Sequence, residues 1–152
     1  MKQRMLFLCR GNSARSQMAE VLVRLIAGDH LDAESAGTHP AGLNPMTVKV
    51  MREPGVDVRH NRSKPVEEFY GESFDYVITV CDQAKVTCPI FPSARYVRHW
   101  SFDDLAAASA ETWVKLFRPV RNEVADRIYE FRVQEAKLTP AALQRYRCGH
   151  DS

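Results

Sequence analysis

Apolar and polar positions alternate between short unbroken runs and helical stripes. Arg4–Leu8 is apolar after its first residue and ends at Cys9, which predicts a buried strand. From Ser16 to Ala27, Met18, Val21, Leu22, Leu25 and Ile26 recur at helical spacing, and Gly28 is a natural stop. A short strand is expected over Asp32–Gly37. Asn44-Pro45 reads as a cap with proline at the first helical position, opening a helix that Pro54-Gly55 ends. Tyr76–Val80, "YVITV", is β-branched and apolar throughout, as suits a parallel strand covered on both faces. Ala94–Trp100 predicts another strand. Phe117, Val120, Val124, Ile128 and Phe131 form the stripe of a long helix.

Strands alternating with helices place the chain in the α/β class, with a mainly parallel sheet. Ligands of such sheets bind beyond the carboxyl ends of the strands. Cys9 and Cys81 each directly follow a predicted strand, so two thiols from distant parts of the chain should meet at one edge.

At 152 residues, 45% of them hydrophobic, the chain is a single domain able to bury a core. Its net charge of +2 is too mild to argue for nucleic acid and suits a small anion only weakly. The N-terminal apolar run Met5–Leu8 is far shorter than the roughly 7–15 residues of a signal core. No stretch approaches membrane-spanning length, and a cytoplasmic protein is expected. In that compartment the four cysteines, Cys9, Cys81, Cys88 and Cys148, should be thiols. No C-x-x-C pair occurs and the five histidines do not cluster with the cysteines, so no metal is expected.

The richest chemistry lies in Cys9–Ser16, "CRGNSARS". A C-x5-R pair alone is weak, since about 0.4 such pairs arise by chance in a chain of this composition. Its context is what counts: strand, loop and helix start follow in order. A loop closing onto a helix N-terminus points backbone N–H groups into one concavity, which binds a tetrahedral oxyanion. Arg10, Gly11, Asn12, Ser13, Ala14, Arg15 and Ser16 would form that cradle. Gly11 permits a positive φ and Asn12 tolerates the left-handed region. Arg15 can grip two oxygens with its planar fork. The same donors should lower the pKa of Cys9 and make it a thiolate at neutral pH, with Ser16 hydrogen-bonded to it. A thiolate within an anion cradle attacks the central atom of the bound oxyanion.

"CRGNSARSQMAE" resembles the phosphate-binding loop and first helix of the low-molecular-weight protein tyrosine phosphatase fold, and "SAGTHPAGLNP" (Ser35–Pro45) sits where that fold carries a similar segment. The likeness runs to about residue 135, with residues of about 138–152 as a C-terminal extension that reads as an extra helix or loose tail. It implies a three-layer sandwich around a four-stranded, mainly parallel sheet.

Cys81 and Cys88 lie in "VCDQAKVTCP". On one α-helix, seven steps would separate them by roughly 10 Å. A disulfide needs Cα atoms within about 7 Å, so a redox pair here requires a segment that is unwound or never helical. From the residues alone, core thiols bracketing a loop explain them equally well. "CDQAKVTCP" followed by "HWSFDD" (His99–Asp104) resembles the thioredoxin-coupled arsenate reductases of this fold. That resemblance implies a relay in which Cys9 attacks arsenate, Cys81 attacks Cys9, Cys88 attacks Cys81, and thioredoxin reduces the final disulfide. It implies Asp104 as general acid; Asp103 beside it is the fallback, and no bound cofactor and a monomer are expected. The alternative is a protein tyrosine phosphatase using Cys9, Arg15 and Asp104 alone.

Some relatives hold potassium behind the loop with side chains matching Asn12, Glu20, Ser35 and a downstream carboxylate. Lys64 stands at that last position, a departure from the pattern, so an ammonium in the cation's place, paired with Glu20, and activity independent of potassium are expected. Cys148 lies beyond the matching part and reads as a spare thiol.

Overall fold

The computed structural model describes residues 2–81, 94–103, 105 and 112–134. Cys88, Asp104, Cys148 and the C-terminal extension lie outside the described residues. The elements in chain order are β1 (Gln3–Cys9), α1 (Arg15–Ala27), β2 (Leu31–Gly37), α2 (Pro45–Arg52), a 3-10 turn (Val66–Phe69), β3 (Tyr76–Thr79), β4 (Tyr96–His99) and α3 (Trp113–Gln134). The sheet has the order β2-β1-β3-β4, and all three of its pairings are parallel rather than mainly so.

Each element follows from its pattern. Met5 to Cys9 and all of β3 are buried, as expected of strands covered on both faces. The Asn44 side chain accepts the Met46 N–H at 2.8 Å, capping α2 behind Pro45. After α2, Gly55 takes a φ of 87°, a left-handed turn that any side chain would resist. The long-helix stripe is buried as predicted: Phe117, Val120, Val124, Ile128 and Phe131 all face the core. Phe131 packs its ring edge against Tyr76 and Trp100, with centroids 4.8 and 5.9 Å apart. α1 lies on β1 and β2 and packs against α3, which also meets α2.

The strand order decides where chemistry can sit. The chain leaves β1 for β2 on one side, and β3 then pairs with β1 on the other. The loops at the carboxyl ends of β1 and β3 therefore diverge, leaving a crevice at this switch point. Cys9 ends β1, and Cys81 follows β3 by two residues.

Candidate active site

The crevice is a cleft of about 700 Å³. It is lined by Cys9, Arg10, Gly11, Ser13, Ala14 and Arg15 of the loop after β1, by Val80 and Cys81 after β3, and by Ser101, Phe102, Asp103 and Leu105 after the neighbouring β4. His39, Ala41 and Asn44 complete it. Cys9 and Cys81 are both buried, and neither is in a disulfide. The structure thus brings together most of the expected cradle. Asn12 and Ser16 lie behind it, fully buried.

The loop's shape is set by where its carbonyls go. Cys9 O accepts Thr38 N–H at 3.1 Å, Arg10 O accepts His39 N–H at 2.8 Å, and Gly11 O accepts Ala41 N–H at 2.9 Å. Ser13 O accepts Asn44 N–H at 3.0 Å and the Thr47 hydroxyl at 2.9 Å. Ala14 O accepts Met18 N–H at 2.8 Å, starting α1. With the carbonyls tied to the scaffold, the opposite ends of these peptides are turned toward the cleft. α1 itself begins behind Ala14, which has no side-chain cap to offer, and has no acidic residue in its first turn. An uncapped helix start attracts an anion through its unsatisfied N–H groups and its dipole. Arg15 reaches across the cleft, its Nη1 3.5 Å from Phe102 O.

Asn12, not Gly11, supplies the left-handed residue, with φ 49°. Asparagine adopts this conformation when its side chain is bonded locally, and here every polar atom of that side chain is engaged. Lys64 N–H donates to Asn12 Oδ1 at 2.8 Å, which fixes the orientation of the amide. Asn12 Nδ2 therefore donates to Ser16 Oγ at 2.8 Å and to Ser35 Oγ at 2.9 Å. Ser16 Oγ lies 2.8 Å from Cys9 Sγ, within reach to donate its proton to the sulfur. The Asn12 N–H adds a second donor to that sulfur at 3.0 Å.

These donors do not make Cys9 acidic. Burial pushes its thiol above the ordinary value, and the Ser16 and Asn12 hydrogen bonds oppose that rise without overcoming it. Cys81 lies close enough that its charge adds to the rise, while Arg15 works weakly against it. The direction is the reverse of the expected lowering, because burial of the sulfur acts against the hydrogen bonds it receives.

Behind the loop, Ser35 donates to Glu20 Oε1 at 3.1 Å, and Lys64 Nζ meets the same oxygen at 2.8 Å. The lysine thus pairs with Glu20, as expected from its departure from the family pattern. No group of three or more potential metal-ligating side chains occurs among the described residues.

Sequence reasoning missed Gly37, Gln17 and Ser63. A Cβ on Gly37 would stand 2.5 Å from Arg10 O, so only glycine lets β2 pass beneath the loop. Its position at a strand end was the available signal. Gln17 and Ser63 are polar residues with no local signature.

A family model described as low molecular weight phosphotyrosine protein phosphatase matches residues 4–134. The chain belongs to that family. It is 42% identical over 128 residues to an arsenate reductase of Halalkalibacterium halodurans, covering 82% of this chain and 91% of that one. Among solved structures, "An arsenate reductase in the phosphate binding state" superposes with a TM-score of 0.76 at 26% identity, covering 87% of this chain and 98% of the other. A thioredoxin-dependent arsenate reductase of Corynebacterium glutamicum gives a TM-score of 0.67 at 28% identity, over 86% of this chain and 60% of its own. No helix among the described residues is long and apolar enough to cross a membrane.

Proposed function

We propose that this chain reduces arsenate to arsenite by a three-thiol relay, Cys9 to Cys81 to Cys88, recharged by thioredoxin. The observation that carries this reading is the second buried thiol, Cys81, in the same cleft as Cys9. A phosphatase needs one thiol; a reductase needs a partner to take the disulfide. The names of the relatives point the same way.

Arsenate sits in the loop with its oxygens toward the uncapped start of α1 and the Arg15 fork. The Cys9 thiol proton passes to an oxygen of the bound dianion as Sγ attacks arsenic. Ser16 then holds the sulfur's developing charge. Asp104 protonates the departing hydroxide, giving water and a sulfur–arsenic bond. Asp103, on the cleft rim, is the alternative donor. Cys81 attacks Cys9 Sγ. The sulfur–arsenic bond breaks with its electron pair staying on arsenic, which leaves as arsenite, and a Cys9–Cys81 disulfide forms. Cys88 attacks Cys81 and releases Cys9 as a thiolate, and the thioredoxin dithiol reduces the Cys81–Cys88 bond. Two thiols lose one electron each, and arsenic gains two. No bound cofactor enters any step.

The test is arsenate-dependent NADPH oxidation in the presence of thioredoxin and thioredoxin reductase. Oxidation that vanishes in each of Cys9→Ser, Cys81→Ser and Cys88→Ser is expected. No oxidation, with aryl phosphate hydrolysis that needs Cys9 alone, would make the chain a phosphatase instead.

A further inference from the structure

The six carbonyls from Cys9 to Ala14 are all tied to the scaffold, but not by the same kind of donor. Five of them accept at least one backbone N–H. The carbonyl of Asn12 differs. Among the described residues its donors are two side chains, Ser63 Oγ at 3.0 Å and Gln17 Nε2 at 3.2 Å. Both donors are shared. The Ser63 proton also lies toward Gly11 O at 2.6 Å, and Gln17 Nε2 also serves Asn12 Oδ1 at 3.0 Å and Arg62 O at 2.9 Å.

This carbonyl belongs to the peptide that follows the left-handed residue, where the chain reverses beneath the anion. The peptide joining Asn12 to Ser13 has its C=O held toward the back of the loop, so its N–H end faces the cleft side. Were it to rotate, a carbonyl dipole would replace an amide donor opposite a dianion, turning an attraction into a repulsion. The other five carbonyls of the loop each keep a backbone N–H donor that no side-chain substitution removes.

We infer that Ser63 and Gln17 are positioning residues that lock the Asn12–Ser13 peptide in its anion-binding orientation. This rests on the reading of the loop as an oxyanion site. Neither side chain lines the cleft. Gln17 is fully buried, with its Oε1 accepting from Asn61 Nδ2 at 3.3 Å, so its amide is oriented by partners on every side. Because the two donors share one acceptor, either alone holds the peptide partly, and losing both leaves a buried carbonyl with no described partner.

The experiment measures inorganic phosphate affinity by calorimetry, alongside Tm. Ser63→Ala should bind phosphate about threefold more weakly, as expected for one shared hydrogen bond, and Ser63→Thr should restore it. The double variant Ser63→Ala, Gln17→Met should lose about thirtyfold or more, beyond the product of the two single losses. In turnover the same variants should raise the arsenate KM more than they lower kcat. Phosphate affinity unchanged in Ser63→Ala would overturn the inference. An equal loss in Ser63→Ala and Ser63→Thr would also overturn it, by tracing the effect to size rather than to the hydroxyl. If the double variant does not fold, the serine pair decides. A wild-type chain that binds neither phosphate nor arsenate would overturn the oxyanion reading itself, and this inference with it.

Discussion

Two carboxylates in this molecule are each gripped by two basic side chains, and they differ mainly in depth. Glu20, on α1 behind the anion loop, has a side chain 2% exposed and meets Lys64 Nζ at 2.8 Å and Arg24 Nη1 at 3.4 Å. Glu53, just past α2, is 32% exposed and is held by Arg118 and by Arg121 Nη1 at 2.7 Å, both from α3. At the surface, water competes with every partner, and such a pair adds about 0–1 kcal/mol. In the interior, losing one partner strands a charge, which costs about 3–5 kcal/mol. A buried pair is therefore weak support for stability and strong support for a fixed geometry. Here that geometry leads to the sulfur: Glu20 accepts from Ser35, Ser35 from Asn12, and Asn12 also donates to Ser16, which bonds Cys9. Lys64 serves this chain twice, through Nζ to Glu20 and through its backbone N–H to Asn12.

The largest effect should come from breaking the buried pair. Lys64→Met keeps the apolar stem and removes the ammonium, leaving Glu20 with its weaker partners. A loss of about 3 kcal/mol, or roughly 10 °C in Tm, is expected by thermal denaturation. Adding Glu20→Gln should recover most of it, because removing both charges removes the stranded one. With the lysine intact, exchanging sodium for potassium should leave turnover unchanged. A marked rise with potassium, or a Lys64→Met variant as stable as wild type, would erase the difference between the two carboxylates.

How much of this was legible in the sequence depends on how local each feature is. β1, β3 and the α3 stripe were legible because burial writes itself into consecutive or periodic residues. The loop was legible because strand, cysteine, glycine, arginine and helix start fall within sixteen residues. The pairing of Lys64 with Glu20 came through resemblance, not through spacing. Gln17 and Ser63 were not legible, since they meet Asn12 across the fold and polar side chains elsewhere simply face water. The 3-10 turn at Val66–Phe69 gave no sequence signal either. The direction of the Cys9 pKa was misread for a related reason. The donors are encoded locally, but the desolvation that outweighs them arises only when the chain closes around the sulfur.

That reversal gives an intermediate test at the deep end of the network. Site-resolved alkylation of Cys9 by iodoacetamide should still be accelerating at the ordinary thiol value of 9.0, because burial holds its midpoint higher. Ser16→Ala removes a donor to the sulfur and should move the midpoint further up. The folded state then binds the proton more tightly than the unfolded one. The stability this lends is full below the ordinary thiol value and is lost as pH rises through the folded midpoint. Alkylation that reaches its plateau near neutral pH would restore the thiolate reading and remove the need for a proton-accepting substrate.

The smallest effect belongs to the exposed carboxylate. Glu53→Gln unties α2 from α3 at one point, while Arg121 keeps its bond to Val50 O at 2.8 Å. The expected loss at neutral pH is about 0.5–1 kcal/mol, with arsenate turnover untouched because the residue stands away from the cleft. Arg118, then Arg121, hold the Glu53 carboxyl down to about 2 from an ordinary 4.5. A depressed carboxylate contributes above its unfolded value and loses that contribution as pH falls through the folded one. The difference between wild type and Glu53→Gln in urea unfolding should therefore be full at pH 7 and shrink toward pH 2. A loss as large as that of Lys64→Met would mean that depth does not separate the two clusters, and that the α2–α3 junction is held by its ion pairs rather than by the apolar faces beneath them.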